Sequence, residues 1–467
     1  MLLPILSAIL GILAFLPFKF FWLFGFIFLV PLFIFLIKEK GFWKLLASSL
    51  IFRVIFSLGT VYFTLEPILW LLSIPFFLGL PISVFIIKRR LVRFLPLSIV
   101  NGQWSLLILL PFFWTFFDHF QARFSLLPTY IMTAGNSLGS SPFLGLASIG
   151  GLILLTFFVA LINTIIALII LNFKNKKITI VFLIIIIAAL LIAWQISIFQ
   201  LQKNSEIYKN LENSFKIAAV SINENFNYSD LEKIKNEIIN NEIDFLILPE
   251  DIFNNSPQEL DLKFWRDFAQ KINADLLATG DRRENNKRYN SSVLIDKNGA
   301  VIDTYSKNRL TFMGEYWPFG KWTPFYLNWL KKTNPEIKNY AVFNFKNAYS
   351  AGNQKLLTAE LKGEELKFAS LICLEIHYLR DLKNYKKMGA QLFINPTSNR
   401  WLDLGLSHFL YLTNNLRKIQ SVWLKTPIVS SGVKDFAGVI EPTGVSRLIN
   451  FENQNKNYGL FIGEIRY

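Results

Sequence analysis

The sequence predicts two parts, an α-helical membrane bundle over residues 1–200 and a layered α/β domain over residues 201–467. Hydrophobic residues make up 52% of the chain and aromatics 16%, more than a soluble domain of this length carries. Long apolar runs fill the sequence before about residue 200 and stop there. From about residue 214, short apolar segments alternate with polar amphipathic ones, the pattern of covered strands and surface helices.

In the first part, apolar runs lie at about 2–17, 20–37, 43–63, 67–87, 94–117, 143–172 and 178–199. Most have the length of a helix that crosses roughly 30 Å of hydrocarbon, so about seven spans are expected. The first run is short and broken by Pro17. It lacks a basic leader and a cleavage site, so its removal is not expected. Orientation follows from the basic loops. Lys38, Lys40 and Lys44 follow the second run, Lys88, Arg89, Arg90 and Arg93 the fourth, and Lys174, Lys176 and Lys177 the sixth. All fall on one side, with Lys19 a minor exception, and the positive-inside rule makes that side cytoplasmic. The N-terminus is then inside, and an odd number of crossings places residues from 201 onward outside. Arg53, Asp118 and His119 lie in or at the ends of apolar runs, where they either line an entry to a site or snorkel from helices drawn too long.

The net charge of +15 has its clearest clusters in these short loops, which reads as membrane anchoring. No basic helix or known binding module points to nucleic acid. A single cysteine excludes an intramolecular disulfide and leaves the redox compartment open.

In the second part, "FKIAAVSI", "IDFLILPE", "ADLLATG", "SSVLID", "GAVIDTY", "KFASLICLE", "AQLFINPTS", "TPIVSSG" and "FAGVIEPTG" read as strands. "YSDLEKIKNEIINN" reads as a helix capped by Ser or Asp. Reactive side chains stand at several strand ends: Glu250 closes "IDFLILPE", Lys307 follows "GAVIDTY", and Cys373 lies in "SLICLE". Taken singly, each has an ordinary reading as a solvated turn acid, a surface lysine or a small buried hydrophobe.

Together, the order of "LPE", "YSKNRL" followed by "GE", and "ICLE" resembles the nitrilase superfamily, with its α-β-β-α sandwich and its Glu, Lys and Cys triad. Preceded by a multi-span region, it resembles the membrane-embedded apolipoprotein N-acyltransferase family. The likeness covers nearly the whole chain, including "GNSLGSSPFLGLASIGG" before the sixth run. It implies that Cys373 is the nucleophile, Glu250 the general base and Lys307 the cation that supports thiolate and tetrahedral intermediate. Glu315, in "MGEYWPF", matches a second glutamate that orients the lysine and the incoming group, and Glu375 an acid in a supporting role. The sequence departs from the family where "TFMGE" stands for "VPFGE", Leu374 for tyrosine, and "INPTSNRWLDLG" lacks the aspartate often found after the asparagine. It also ends at "GLFIGEIRY", where a further span is usual.

The chemistry asks for the same residue types. A thiol near its reference pKa of about 8.5 is mostly protonated at neutral pH, so attack on an ester needs a base and a cation nearby. Glu250 and Lys307 supply both, and Lys307 with the Leu374 N–H can hold the oxyanion. Strand alternation places Glu375 on the face of Cys373, with His377 past the strand end. The resemblance implies that Cys373 takes an acyl chain from a phospholipid as a thioester and passes it to the α-amino group of a diacylglyceryl-cysteine at an apolipoprotein N-terminus. No metal or organic cofactor is implied. The implied location is a bacterial inner membrane, multi-pass, with the catalytic domain facing the periplasm. The rivals are a membrane-tethered amidase acting on a small amide with the same triad, and a binding or scaffold protein with a decayed site. "YWPFGKWTPFYLNWLKK", with Trp317, Trp322, Phe325, Tyr326 and Trp329, reads either as a lid at the membrane interface or as core of the sandwich.

Overall fold

The computed structural model describes residues 2–62, 77–94, 103–124, 130–253, 260–323, 328–329, 331–332, 340–344, 348–402, 405–452 and 456–467. Parts of the fourth and fifth apolar runs, and Phe325 and Tyr326, lie outside them. The chain forms two compact units, Met1–Lys203 with Leu404–Trp423, and Asn204–Asp403 with Leu424–Tyr467.

The first unit is helical. Its helices are α1 (Leu2–Ala14), α2 (Val30–Lys38), α3 (Phe42–Thr60), α4 (Gly79–Phe94), α5 (Gln103–Phe124), α6 (Ala147–Leu171) and α7 (Lys176–Lys209), joined later in sequence by α11 (Leu406–Leu424). Among the described residues, four helical segments are long and apolar enough to cross a membrane: Phe21–Lys38, Phe42–Thr60, Leu144–Leu171 and Lys176–Lys209. The first run forms only the 13-residue α1, short of the roughly 20 residues that a span needs. Arg53 neither snorkels nor stands alone. Its Nη1 lies 3.8 Å from Asp118 Oδ1, both side chains being 1% exposed, and its guanidinium packs on the rings of Phe56 and Phe77. Asp118 Oδ2 in turn accepts from the Ala134 N–H at 2.8 Å, and His119 Nε2 bonds Thr156 Oγ1 at 3.0 Å. Charges in an apolar unit persist where such partners meet them.

The stretch from Gly135 to Gly151 winds through two short 3₁₀ turns into α6, and its glycines allow close approach. A Cβ at Gly145 would meet the Ser197 carbonyl at 2.1 Å, and one at Gly139 would meet Asn415 of α11 at 2.5 Å. Asn136 Nδ2 donates to Leu412 O at 3.1 Å, and Ser140 Oγ to Asn415 Oδ1 at 2.5 Å. The segment around α11, which the sequence places inside the second domain, therefore packs in the first unit.

Among the described residues, the second unit contains twelve strands: β1 (Ser214–Ile222), β2 (Phe245–Glu250), β3 (Asp275–Glu284), β4 (Lys287–Ile295), β5 (Val301–Ser306), β6 (Leu357–Leu361), β7 (Glu364–Ser370), β8 (Leu392–Ser398), β9 (Ile428–Val433), β10 (Ala437–Ile440), β11 (Ser446–Ile449) and β12 (Tyr458–Arg466). They form one sheet in the order β5-β4-β3-β2-β1-β9-β8-β7-β6, with β12 antiparallel to β1 and β10 to β9. The sheet folds on itself, since Phe245 and Leu294 of one half share a core with Phe368 and Leu392 of the other. The Phe245 and Phe368 rings are 5.7 Å apart.

β1 shows why the strands read as continuous apolar runs. Phe215, Ile217 and Ala219 face the inner core, whereas Ala218, Val220 and Ile222 face the helices α8 (Tyr228–Asn241) and α9 (Leu262–Ile272). Helix α8 buries Leu231, Ile234 and Ile238 at helical spacing. Its cap is Asn227, not the expected Ser or Asp: Asn227 Oδ1 accepts from the Ser229 N–H at 2.9 Å and the Asp230 N–H at 3.3 Å. Helix α10 (Leu379–Lys387) follows the turn that carries Cys373. The second unit is thus a layered α/β domain, a sheet folded on itself with helices packed on its outer face.

Candidate active site

Glu250 ends β2, Lys307 directly follows β5, and Cys373 lies three residues beyond β7. The parallel register of β1, β2 and β3 stacks their C-terminal ends, where open sheets place sites.

Lys307 is 1% exposed, and its Nζ lies 2.9 Å from Glu315 Oε2, 3.0 Å from Glu315 Oε1 and 4.0 Å from Glu250 Oε1. Burial opposes its charge, but Glu315, Glu250 and Cys373 outweigh burial and keep the ammonium protonated far into the alkaline range. Burial also opposes the charge on Glu315, yet Lys307, Asn290 and the Thr311 N–H, which donates at 2.7 Å, keep it ionised below the usual carboxylate range. Glu250 is left with the looser hold. Burial pushes it up to about 7, against the pull of Lys307. One lysine thus faces two acids in different states, an ionised Glu315 and a Glu250 that exchanges its proton near neutrality.

Cys373 opens a 3₁₀ turn, Cys373–His377, with φ at +52°, a left-handed conformation that a side chain rarely adopts. The strand ends at Ser370, so period-two alternation stops there and Glu375 does not share a strand face with Cys373. Glu375 instead turns back, 3% exposed. Its Oε1 accepts from Tyr305 Oη at 2.7 Å and from the Asn308 and Arg309 N–H groups at 2.8 and 3.0 Å, while its Oε2 accepts from the Ile372 N–H at 2.9 Å. It thereby ties the backbone beside the lysine to the backbone beside the thiol. Asn395 Nδ2, on β8, also holds the turn by donating to the carbonyls of Leu371 and Cys373. His377 lies within the turn and is buried.

Cys373 itself is half-buried. Burial, with the negative charges of Glu250 and Glu315, pushes the thiol up, while Lys307 and a bond from the Ser398 N–H pull it down. The net shift is upward, so the resting form is the thiol. The Leu374 amide lies in the first turn after Cys373, where N–H groups lack acceptors within the helix.

Sequence reasoning missed Asn290. It sits on β4 opposite Asp281, and its Nδ2 donates to Glu250 Oε1 at 2.6 Å and to Glu315 Oε1 at 2.8 Å. Its own carbonyl accepts from the Lys307 N–H at 2.8 Å. An asparagine within a strand carries no type-specific sequence signal.

The three tryptophans of the aromatic segment divide. Trp317 is 8% exposed and packs among Phe312, Phe319 and Trp322, its Nε1 donating to Trp322 O at 2.9 Å, so it belongs to a core. Trp322 and Trp329 are 62% and 59% exposed. Among the described residues, no group of three or more His, Cys, Asp or Glu is arranged to hold a metal.

Comparison with known proteins adds three findings. Residues 216–417 match the family model of the carbon-nitrogen hydrolases, and residues 7–165 match that of the apolipoprotein N-acyltransferase N-terminal domain. Apolipoprotein N-acyltransferase 2 of Treponema denticola is 25% identical over 168 residues, a match that covers 34% of this chain and 28% of that protein, just over a quarter of its length. Nit3 of Saccharomyces cerevisiae, a member of the nitrilase superfamily, aligns at a TM-score of 0.39 and 15% identity, over 55% of this chain and 91% of its own. An amidase from Nesterenkonia sp. aligns at a TM-score of 0.39 and 16% identity, over 55% of this chain and 91% of its own.

Proposed function

We infer, for a chain that belongs to the apolipoprotein N-acyltransferase family of the nitrilase superfamily, that Cys373 carries an acyl group between a membrane phospholipid and the α-amino group of a diacylglyceryl-cysteine at an apolipoprotein N-terminus. One observation carries this reading: a single cysteine on a left-handed turn, under the combined field of Glu250 and Lys307, in the same chain as helices apolar enough to cross a membrane. Both substrates are lipids and reside in a bilayer, and several apolar helices exceed what tethering an amidase to a membrane needs.

In the first half-reaction, Glu250 takes the thiol proton as sulfur attacks the ester carbonyl. Lys307 and the Leu374 N–H hold the developing oxyanion. The carbon–oxygen bond breaks, the proton passes from Glu250 to the leaving alcohol, and a lysophospholipid departs from the thioester. In the second, a neutral amine attacks the thioester, a new carbon–nitrogen bond replaces the carbon–sulfur bond, and the amine proton returns by way of Glu250 to sulfur. Glu315 keeps Lys307 in place and Glu375 positions the turn. Trp322 and Trp329 lie on a lid that enters the outer leaflet, and the chain sits in a bacterial inner membrane with its catalytic domain facing the periplasm.

Intact mass of the full chain after incubation with phospholipid tests the reading. An acyl-sized increment that is absent from Cys373→Ala supports it. Rapid hydrolysis of a small amide without any adduct favours the amidase instead.

A further inference from the structure

Two buried acceptor atoms in the site hold no hydrogen: among the described residues, Glu250 Oε2 and Asn290 Oδ1 accept no hydrogen bond. Their residues are 5% and 4% exposed, and a buried acceptor without a donor is costly. The orientation of the Asn290 amide is fixed, because a carbonyl turned toward Glu250 and Glu315 would face two carboxylates, whereas the amide nitrogen donates to both at 2.6 and 2.8 Å. The carbonyl is therefore directed away from both acids, and it belongs to the residue that bonds the other oxygen of the Glu250 carboxylate. Lys307 bonds Glu315 and, among the described residues, makes no hydrogen bond to either acceptor, its remaining N–H being the one that the oxyanion takes in the reading above.

We propose, resting on the acyl-transfer reading above, that Glu250 Oε2 and Asn290 Oδ1 form the binding site of the acceptor amine, each taking one N–H of a neutral primary amine. A primary amine has two hydrogens and one lone pair. With both hydrogens engaged, the lone pair is the only part of the nitrogen left to meet the thioester. As the carbon–nitrogen bond forms, the hydrogen on Glu250 Oε2 moves to that carboxylate and is then delivered to the departing Cys373 sulfur. The other remains on nitrogen as the product amide N–H, still bonded to Asn290 Oδ1. An N-methyl amine or an alcohol has a single hydrogen. It satisfies Glu250 alone and leaves Asn290 Oδ1 unmet, so the site selects primary amines.

The test separates acyl-enzyme formation from transfer. The full chain in detergent is loaded with p-nitrophenyl palmitate, the Cys373 adduct is confirmed by intact mass, and its decay is followed with three short synthetic lipopeptides that differ only in an α-amine, an N-methyl α-amine or an α-hydroxyl. The native chain should prefer the primary amine by about ten-fold or more, the effect of one unmet buried acceptor. Asn290→Leu also removes the amide's bonds to Glu250 and Glu315 and so slows all three acceptors, but it should slow the primary amine about ten-fold more than the other two, abolishing the preference. Asn290→Ser replaces it where the leucine variant does not acylate. An equal fall for all three acceptors, or failure of both variants to acylate, overturns the amine site. No adduct on the native chain counts against the acyl-transfer reading itself.

Discussion

Lys307 is bound to Glu315 rather than to Glu250: its ammonium lies 2.9 Å from the one and 4.0 Å from the other. That inequality leaves Glu250 with the weaker hold, so that burial raises it. The negative charge of Glu315 helps to raise Glu250, and Lys307 would lower it further if it were released from its partner.

Replacing Glu315 by Gln should therefore have two effects. kcat/KM for thiol acylation should fall by roughly 10²-fold or more, because the cation is no longer held for the oxyanion. Its acid limb should also move below the native value. In the native chain that limb lies near 7, since Glu250 must be a carboxylate to accept the thiol proton and is raised to about 7 by burial. The rate should rise with pH through that value. A pH profile of Glu315→Gln displaced upward would contradict the assigned roles.

Glu375 provides a second test, of position rather than chemistry. Four donors from two separate segments converge on its carboxylate. Glu375→Ala leaves them buried and unmet, which should cost about 2–4 kcal/mol of stability in the second unit. Glu375→Gln keeps the acceptor for Tyr305, Asn308 and Arg309 and should recover most of that loss. Thermal unfolding of the two variants decides it, and equal destabilisation would show that charge rather than geometry matters there.

Much of this site was legible because Glu250, Lys307 and Cys373 each close or follow a strand with a distinctive local motif. Glu375 was assigned to the wrong geometry for a local reason: "SLICLE" reads as strand throughout, but the chain leaves the sheet at Ser370 and Cys373 takes a positive φ. Asn290 was invisible for a nonlocal one. Its role comes from cross-strand register, which brings it to Glu250, 40 residues earlier. β6, β11 and β12 were also missed. They are short or carry polar residues among apolar ones, and a sheet edge tolerates that pattern. The packing of α11 in the first unit rests on glycines and amides roughly 270 residues away, beyond the reach of periodicity.

That packing makes Gly139 sensitive. An added Cβ would lie 2.5 Å from Asn415 Cβ and 2.8 Å from both its Cα and its carbonyl oxygen. Backbone atoms of a helix cannot step aside, so Gly139→Val should destabilise the first unit by about 1–3 kcal/mol. Pairing it with Asn415→Gly removes only the nearest of the three contacts and should restore part of the loss. Full restoration by the double variant, measured by thermal unfolding in detergent, would show that α11 shifts freely.

Sidedness follows from the basic loops. A reporter fused at residue 175, beside Lys174, Lys176 and Lys177, should respond as cytoplasmic, and one fused after Tyr467 as extracytoplasmic. The same response at both points would mean an even number of crossings between them.

The aromatic segment separates a lid from a core by its three tryptophans. Trp317 is buried and donates a hydrogen bond within its cluster, so Trp317→Ser should lower stability by about 3 kcal/mol, as large-to-small core changes do. Trp322 and Trp329 are mostly exposed and lie beside Lys321, Lys331 and Lys332, the arrangement of a segment whose rings sit among headgroups while its lysines stay in water. Replacing both by Ser should leave folding near native and slow acylation of Cys373 by phospholipid vesicles. Reaction of the same thiol with a small water-soluble reagent should be largely unchanged, because that reagent needs no path from the bilayer. If both reactions slow together while the protein remains folded, the rings shape the site rather than deliver lipid to it. If they slow together with loss of folded protein, the two exposed tryptophans support the core as Trp317 does, and the lid is excluded.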